Sequence, residues 1–389
     1  MSRDLITDLI HHPYQPPAGF EAPTVGVHKA STVIFPNVAA VRNRDWRRRD
    51  GYTYGLHGTP TTFHLEERIA TLEGGLQCVL VPSGLAAVSV VDLALLSAGD
   101  EVLLPANVYG PSRELARHEL ARWGIQHRLY DPLDADALAA MITPATKLIW
   151  LEAPGSVTME FPDLAGLVRA AKARGVTTAL DNTWGAGLAL RGFDHGIDIV
   201  MQALTKYPSG GGDVLMGSVV TRDQALHERI KLTHMHLGFG VAANDAELVL
   251  RGLATMELRY AAQDAAGREL ARFLGEQAEV VQVLHPALPG APGHAHWAAH
   301  CTRAAGLFSV LLDERFTQAQ VHAFVDGLKL FRIGYSWAGP VSLVVPYDLD
   351  GMREPGHGLR GHLVRFSLGL ESTADLKADL AQSLTAAFR

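Results

Sequence analysis

The chain has 389 residues, 48% of them apolar, with 34 basic and 41 acidic side chains and a formal net charge of −7. That size is enough to bury more than one core, and the dispersed, net negative charge excludes a basic face for nucleic acid. The longest apolar stretch, residues 84–99, is interrupted by Ser89, Asp92 and Ser97 and is too short to cross a bilayer, so it predicts a buried helix and no membrane partner.

The opening MSRDLITDLIHHP has neither a long apolar core nor a small-residue cleavage site. It does not read as a secretory signal, and a cytoplasmic location is expected. Residues 1–58 are rich in Pro, Gly and aromatic residues and carry the charged run 43–51, which predicts an irregular arm with a solvated surface. From Thr61 the pattern turns helical, with Leu65, Ile69 and Leu72 on one face and Gly74-Gly75 as the stop.

Short apolar runs follow at 78–81, 101–104, 147–151, 176–180 and 197–201, separated by helical segments. They predict parallel strands joined by crossovers, the α/β signature. Pro162 and Asp163 open one such helix and Gly175 closes it. Beyond about residue 245, long helical patterns give way to strand-like runs at 307–312 and 363–368. The last helix begins at Ser372, with Asp375 placed for a capping box. The expected division is an arm at 1–58, an α/β domain at 59–245 and a smaller domain at 246–389. Cys78 and Cys301 are the only cysteines, too few for a disulfide framework or a metal quartet, and are expected to be buried thiols.

Ligands of open α/β sheets collect beyond the carboxyl ends of the strands, and four positions there carry chemistry. Ser83-Gly84-Leu85 opens a helix whose free amides and dipole favour a phosphate, although such a turn is more often merely structural. Tyr109 offers a face for a flat heterocycle, or packs as an ordinary core tyrosine. Asp181 places a carboxylate at a strand end, where loop capping is the plain alternative. Lys206 follows the next strand; a lone lysine is normally a solvated surface residue. Taken together, an amine, an acid, a ring to stack and a phosphate cup are what an enzyme of pyridoxal 5'-phosphate (PLP) requires. His296 and His300 stand four apart, with His294, His234 and His236 as further imidazoles. No HEXXH-type acid accompanies them, so structural histidines and no metal are expected.

A longer ordered set of motifs carries a resemblance: YGLHGTPT at 54–61, LEGG at 72–75, GDEVL at 99–103, EAPGSVTME at 152–160, LDNTW at 180–184 and TKY at 205–207. HPALPG at 285–290, YSWAG at 335–339 and VRFSLGLE at 364–371 continue it. Over nearly its whole length the chain resembles the Cys/Met-metabolism family of PLP enzymes, most closely its bacterial cystathionine β-lyase branch. The resemblance implies a fold type I (aspartate-aminotransferase-like) architecture, with a large, mostly parallel seven-stranded sheet domain and a smaller C-terminal α+β domain. It also implies a homotetramer, a dimer of dimers with shared active sites, in which Tyr54 reaches into the neighbouring subunit.

By the same resemblance, Lys206 holds PLP, Asp181 pairs with the pyridine nitrogen, Tyr109 stacks on the ring, and Gly84, Leu85, Thr205 and Ser156 complete the cofactor site. Arg365 clamps the substrate carboxylate, as its planar fork suits, beside Ser336 and Trp337. Lys206 is the expected base, with Tyr109 and Tyr54 assisting proton transfer. The implied reaction is β-elimination of L-cystathionine to homocysteine, pyruvate and ammonia, a step of methionine biosynthesis. Ser156 and Trp337 favour it over the family's γ-acting enzymes, which typically carry asparagine at the first position and lack the Tyr-Ser-Trp element. A γ-synthase or sulfhydrylase is the enzymatic alternative, and a PLP-binding regulatory protein the non-enzymatic one. Three departures stand out: Leu56 replaces an arginine that bonds the neighbour's phosphate, Ala203 replaces a phosphate-binding serine, and AGPVSL at 338–343 replaces a Gly-Gly-x-Glu-Ser-Leu element. His57, or an arginine of the run 42–48, is expected to supply the missing phosphate donor.

Overall fold

The structure is a computed structural model that describes residues 4–11, 18–20, 22–48, 51–353 and 358–389. Of the charged run, Arg49 and Asp50 lie outside the described residues. The first sheet is built from β1 (Gln77–Val81), β2 (Glu101–Pro105), β3 (Gln126–Tyr130), β4 (Thr146–Glu152), β5 (Thr177–Asp181), β6 (Ile199–Ala203) and β7 (Gly217–Thr221), in the order β1-β7-β6-β5-β4-β2-β3. Strands β3, β2, β4, β5 and β6 pair in parallel. Strand β7 is antiparallel to both β6 and β1, so β1 points the same way as β6. The carboxyl ends of the six like-directed strands therefore share one edge.

Two strands were not among the expected runs. Strand β3 lies at the sheet edge, and its sequence QHRLY buries only its last residue, so no apolar run marks it. Strand β7 begins Gly-Ser and follows a loop rather than a crossover helix. Its insertion also gives β1 an antiparallel neighbour, in place of the parallel pairing expected for the run 78–81.

Local chemistry explains the helices that carry the site. The helix Pro60–Glu73 is capped by Thr59, reciprocated by Thr62, has Pro at its start, and ends where Gly74 takes φ 76. The helix Gly84–Leu95 is capped by the Ser83 side chain on Ala86 N and is apolar nearly all round, as burial between layers requires. Strands β2 and β7 are buried along their whole length, and each fully buried Leu, Ile or Val there stabilises the fold by about 1.5–3 kcal/mol. Cys78 and Cys301 are both buried free thiols. Among its described residues the arm carries two short α-helices, Leu5–Ile10 and Val38–Arg42, and Leu9 of the first is built into the main core.

The helix Ala243–Leu253 spans residue 245, and the long helix Met256–Gly275 leads into the second sheet. This sheet holds β8 (Val280–Leu284), β9 (Leu307–Leu312), β10 (Arg332–Ile333), β11 (Leu343–Tyr347) and β12 (His362–Ser367), in the order β10-β11-β12-β9-β8. All its pairs are antiparallel except β10 with β11. On β12, Val364 and Phe366 join the core formed with the helices Met256–Gly275, Gln318–Asp326 and Thr373–Phe388, whereas Leu363 joins the core shared with the first sheet. Strand alternation puts Arg365 on the side of Leu363. The last helix keeps half of the expected box: Ser372 Oγ accepts from Asp375 N at 3.4 Å. Among the described residues no helix is long and apolar enough to cross a membrane.

Candidate active site

Asp181 is the last residue of β5, not the residue after it, and its Oδ1 accepts bonds from the backbone N–H (2.9 Å) and the hydroxyl of Thr183. Thr183 Oγ1 in turn accepts from Ala203 N at 2.9 Å, which ties the ends of β5 and β6 together. Burial raises the Asp181 pKa, and Thr183 and Lys206 oppose that rise.

Lys206 stands three residues beyond β6. Its Nζ donates to Ser336 Oγ at 2.8 Å and lies 5.4 Å from the centre of the Trp337 ring. Burial and, next, the nearby Arg365 draw its pKa down to about 8, with Asp181 opposing. Arg365 is itself buried, with 7% exposure, and its Nη2 donates to the carbonyls of Tyr335 and Ser336. Its guanidinium lies 5.3 Å from the Tyr347 ring, and Tyr347, Tyr109 and Tyr335 all favour its charged form. The structure thus brings together Lys206, Asp181, Tyr109, Arg365, Ser336 and Trp337 from two sheets.

Tyr109 is 43% exposed at the mouth of this cluster. Its backbone N–H is held by Glu152 Oε2 at 2.8 Å, and burial, Asp181 and Glu152 raise its phenol pKa. Gly84 sits so close to β6 that a Cβ there would lie 2.7 Å from that of Ala203, so only glycine lets the helix start approach this strand end. The first-turn amides of that helix have no acceptor within it. Thr205 is nearby in sequence, but its hydroxyl exchanges bonds with the Met216 backbone at 3.1 and 3.3 Å.

Two expected residues are not drawn into the cluster. Ser156 lies on the loop after β4, its N–H on Asn107 O at 2.8 Å and its carbonyl accepting from Arg353. Tyr54 is 48% exposed, with its ring against His57. His57 is bonded through Nδ1 to Thr53 Oγ1 at 2.7 Å, and burial, Lys231 and Arg44 lower its pKa. It faces a small cavity with Leu56, Lys231 and His234.

Sequence reasoning assigned no role to Tyr335, Tyr347, Glu152 or Thr183. Glu152 and Tyr335 lay inside the quoted motifs EAPGSVTME and YSWAG, and a carboxylate closing β4 was a usable signal; nothing marked Tyr347 locally. Of the histidines, His300 lies edge-on to His195, His294 stacks on Trp297 and His234 Nε2 meets Phe239 O at 2.8 Å. Among the described residues no three His, Cys, Asp or Glu side chains are grouped to hold a metal ion.

A desolvated amine beside a buried carboxylate, an aromatic face and a glycine-opened helix start makes a site for a carbonyl cofactor held on a lysine. The chain belongs to the Cys/Met metabolism PLP-dependent enzyme family, whose model matches residues 6–385, and the protein is accordingly PLP-dependent. It is 41% identical over 389 residues to a cystathionine beta-lyase of Bordetella avium, covering 97% of each chain. It is 36% identical over 362 residues to that of Salmonella typhimurium, covering 91% of each. Among solved structures, cystathionine gamma synthase from Xanthomonas oryzae pv. oryzae, in complex with aminoacrylate and cysteine, superposes with a TM-score of 0.91 at 30% identity, over 100% of this chain and 99% of that one. The architecture is fold type I. The residues present fit the cofactor: the donor set supplies an amine, an acid and a ring, and Gly84 leaves the helix start open.

Proposed function

We propose that the protein is a carbon–sulfur β-lyase that cleaves L-cystathionine to homocysteine, pyruvate and ammonia, with Lys206 as the residue that holds PLP. The observation that carries this reading is the contact of Lys206 Nζ with Ser336 Oγ, on the element whose backbone carbonyls hold Arg365. It sets a proton-accepting amine beside a carboxylate clamp. Bound PLP supplies the electron sink that makes the substrate α-carbon acidic.

The protein's own groups do the rest. Arg365 receives the α-carboxylate in a fork whose charge is supported by three tyrosines. Lys206, with its pKa near 8, can take the α-proton and pass it to the departing thiolate close to neutral pH. Ser336 orients Nζ, Trp337 lies over it, and Asp181, held in place by Thr183, would pair with the pyridine nitrogen of bound PLP. Tyr109 would provide the stacking face and Gly84, Leu85 and Thr205 the phosphate end, whereas Ser156 stands apart on the loop after β4.

We further infer a cytoplasmic homotetramer, a dimer of dimers in which Tyr54 serves the neighbouring site. Supporting it, the arm leaves Ile34 87% and Val38 66% exposed, apolar surface of the kind that a partner covers. Sedimentation at micromolar concentration tests the assembly. Offering the enzyme O-acylhomoserine with a thiol, against cystathionine alone, tests the reaction class: turnover confined to cystathionine is expected, and efficient thiol replacement would assign it to the γ-acting branch.

A further inference from the structure

Behind Asp181 lies a second cluster. Glu73 is the last residue of the helix Pro60–Glu73, and its carboxyl lies between Asn182 and Gln202, all three with 0% exposure. Asn182 Nδ2 donates to Glu73 Oε1 at 3.2 Å and Oε2 at 2.9 Å, and also to Leu190 O at 2.9 Å. Gln202 Nε2 donates to Oε1 from the other side. Asn182 directly follows Asp181 and extends the β5–β6 ladder through its N–H to Met201 O at 2.9 Å. Gln202 lies four residues before Lys206.

The two strand ends are thus tied twice: once by Asp181, Thr183 and the Ala203 N–H, and once by Asn182, Glu73 and Gln202. In the second tie the hydrogen bonding is incomplete if Glu73 is ionised. Asn182 Oδ1 and Gln202 Oε1 are buried with no donor among the described residues, and an ionised carboxylate can only accept. Asn182 is fixed by its bond to Leu190 O, but with the Gln202 amide turned over its oxygen faces the carboxyl, and a protonated Glu73 supplies that donor. Burial raises the Glu73 pKa to about 7, against the hydrogen bonds from Gln202 and Asn182; of the charged groups facing it, Arg191 favours ionisation and Asp181 adds to the rise.

We propose that Glu73 is a positioning residue for the cofactor site: as a neutral carboxylic acid that accepts from Asn182 and donates its proton to the Gln202 amide oxygen turned to face it, it fixes the spacing between the strand end that carries Asp181 and the one that leads to Lys206. The inference rests on the roles assigned to Asp181 and Lys206 above. It separates the effect of shape from that of charge, because Glu73→Gln keeps the tie and removes the proton, whereas Glu73→Ala removes the tie.

The test follows cofactor dissociation from the holoenzyme, the pH profile of its visible absorption, and the infrared stretch of protonated carboxyl groups, with Asp92→Asn as the control for another acid whose pKa burial raises. E73Q is expected to lose the infrared band assigned to Glu73 yet hold the cofactor within about three-fold of wild type, since the hydrogen bonds are conserved. E73A is expected to release it roughly ten-fold or more faster and to shift the absorption profile, as a broken buried network does. Should E73A fail to fold, Gln202→Leu cuts one leg of the tie and is expected to act in the same direction. Wild-type cofactor retention in E73A or Q202L overturns the tie, and E73Q failing as badly as E73A overturns the neutral acid. The infrared band reads Glu73 independently of the assignment of Asp181 and Lys206, which D181N and K206A test separately through cofactor retention.

Discussion

At the end of the site marked by Arg365, one subunit provides a buried guanidinium, two backbone carbonyls, three tyrosines and Ser336. At the end marked by Gly84 and Leu85 it provides helix amides, the methyl of Ala203 and a threonine whose hydroxyl is already bonded to Met216. The contrast follows from what each group can tolerate. A guanidinium buried on a central strand needs fixed partners to offset its desolvation, so its surroundings are densely built. Backbone amides at a helix start carry no such penalty and can wait for a phosphate. The carboxylate end proposed around Arg365 is thereby densely built within one chain, whereas the proposed phosphate end rests on the close approach that Gly84 allows.

Lys206→Ala should have the largest effect, lowering turnover by on the order of a thousand-fold or more and abolishing the visible absorption of bound cofactor. Retention of both would remove Lys206 from the centre of the comparison. Arg365→Ala should lower kcat/KM by roughly a hundred-fold or more, chiefly through KM, because the carboxylate loses its charged partner. A fall confined to kcat would show that the dense end serves chemistry rather than binding. Gly84→Ala should weaken cofactor affinity about ten-fold without matching losses in KM, since the added Cβ meets Ala203 at 2.7 Å, and Ala203→Gly in the same chain should recover part of it. His57→Ala and alanine replacement of Arg42, Arg44, Arg47 and Arg48 should have the smallest effect, about two- to five-fold on PLP affinity. No change in any of these would discard the arm as the source of the missing phosphate donor.

The pH dependence follows from Lys206. Its amine, with a pKa near 8, is protonated below that value and neutral above it, and only the neutral form reacts with an aldehyde. Stopped-flow uptake of PLP by the cofactor-free protein should therefore accelerate as pH rises and level off above about 8. In Asp181→Asn, which removes the one group opposing the lowered pKa, the plateau should move to lower pH.

The sequence made the parallel frame legible because buried strands such as those holding LIWL at 148–151 and VLL at 102–104 are apolar on both faces, and because Ser83, Asp163 and Gly74 are cap residues with a local signature. It hid β3, whose edge position permits Gln, His and Arg, and β7, which opens Gly-Ser and inserts antiparallel between β6 and the distant β1. The same distinction holds in the site. Lys206, Asp181 and Arg365 sit in motifs, but Tyr347 gains its place beside Arg365 only through the register of β11 on β12, where Val345 opposes Arg365 and Tyr347 is two residues further along the same face. Glu73 was quoted within LEGG, yet its importance appears only when Asn182 and Gln202 close on it from two strands. Tyr54 and Ser156 remain outside the cluster, because contacts within one subunit do not draw them in.

Identification of the products formed from L-cystathionine by the purified holoenzyme tests the central claim most directly. Homocysteine, pyruvate and ammonia in equal amounts, lost together in Lys206→Ala, are the predicted result, and cysteine with 2-oxobutyrate would contradict it.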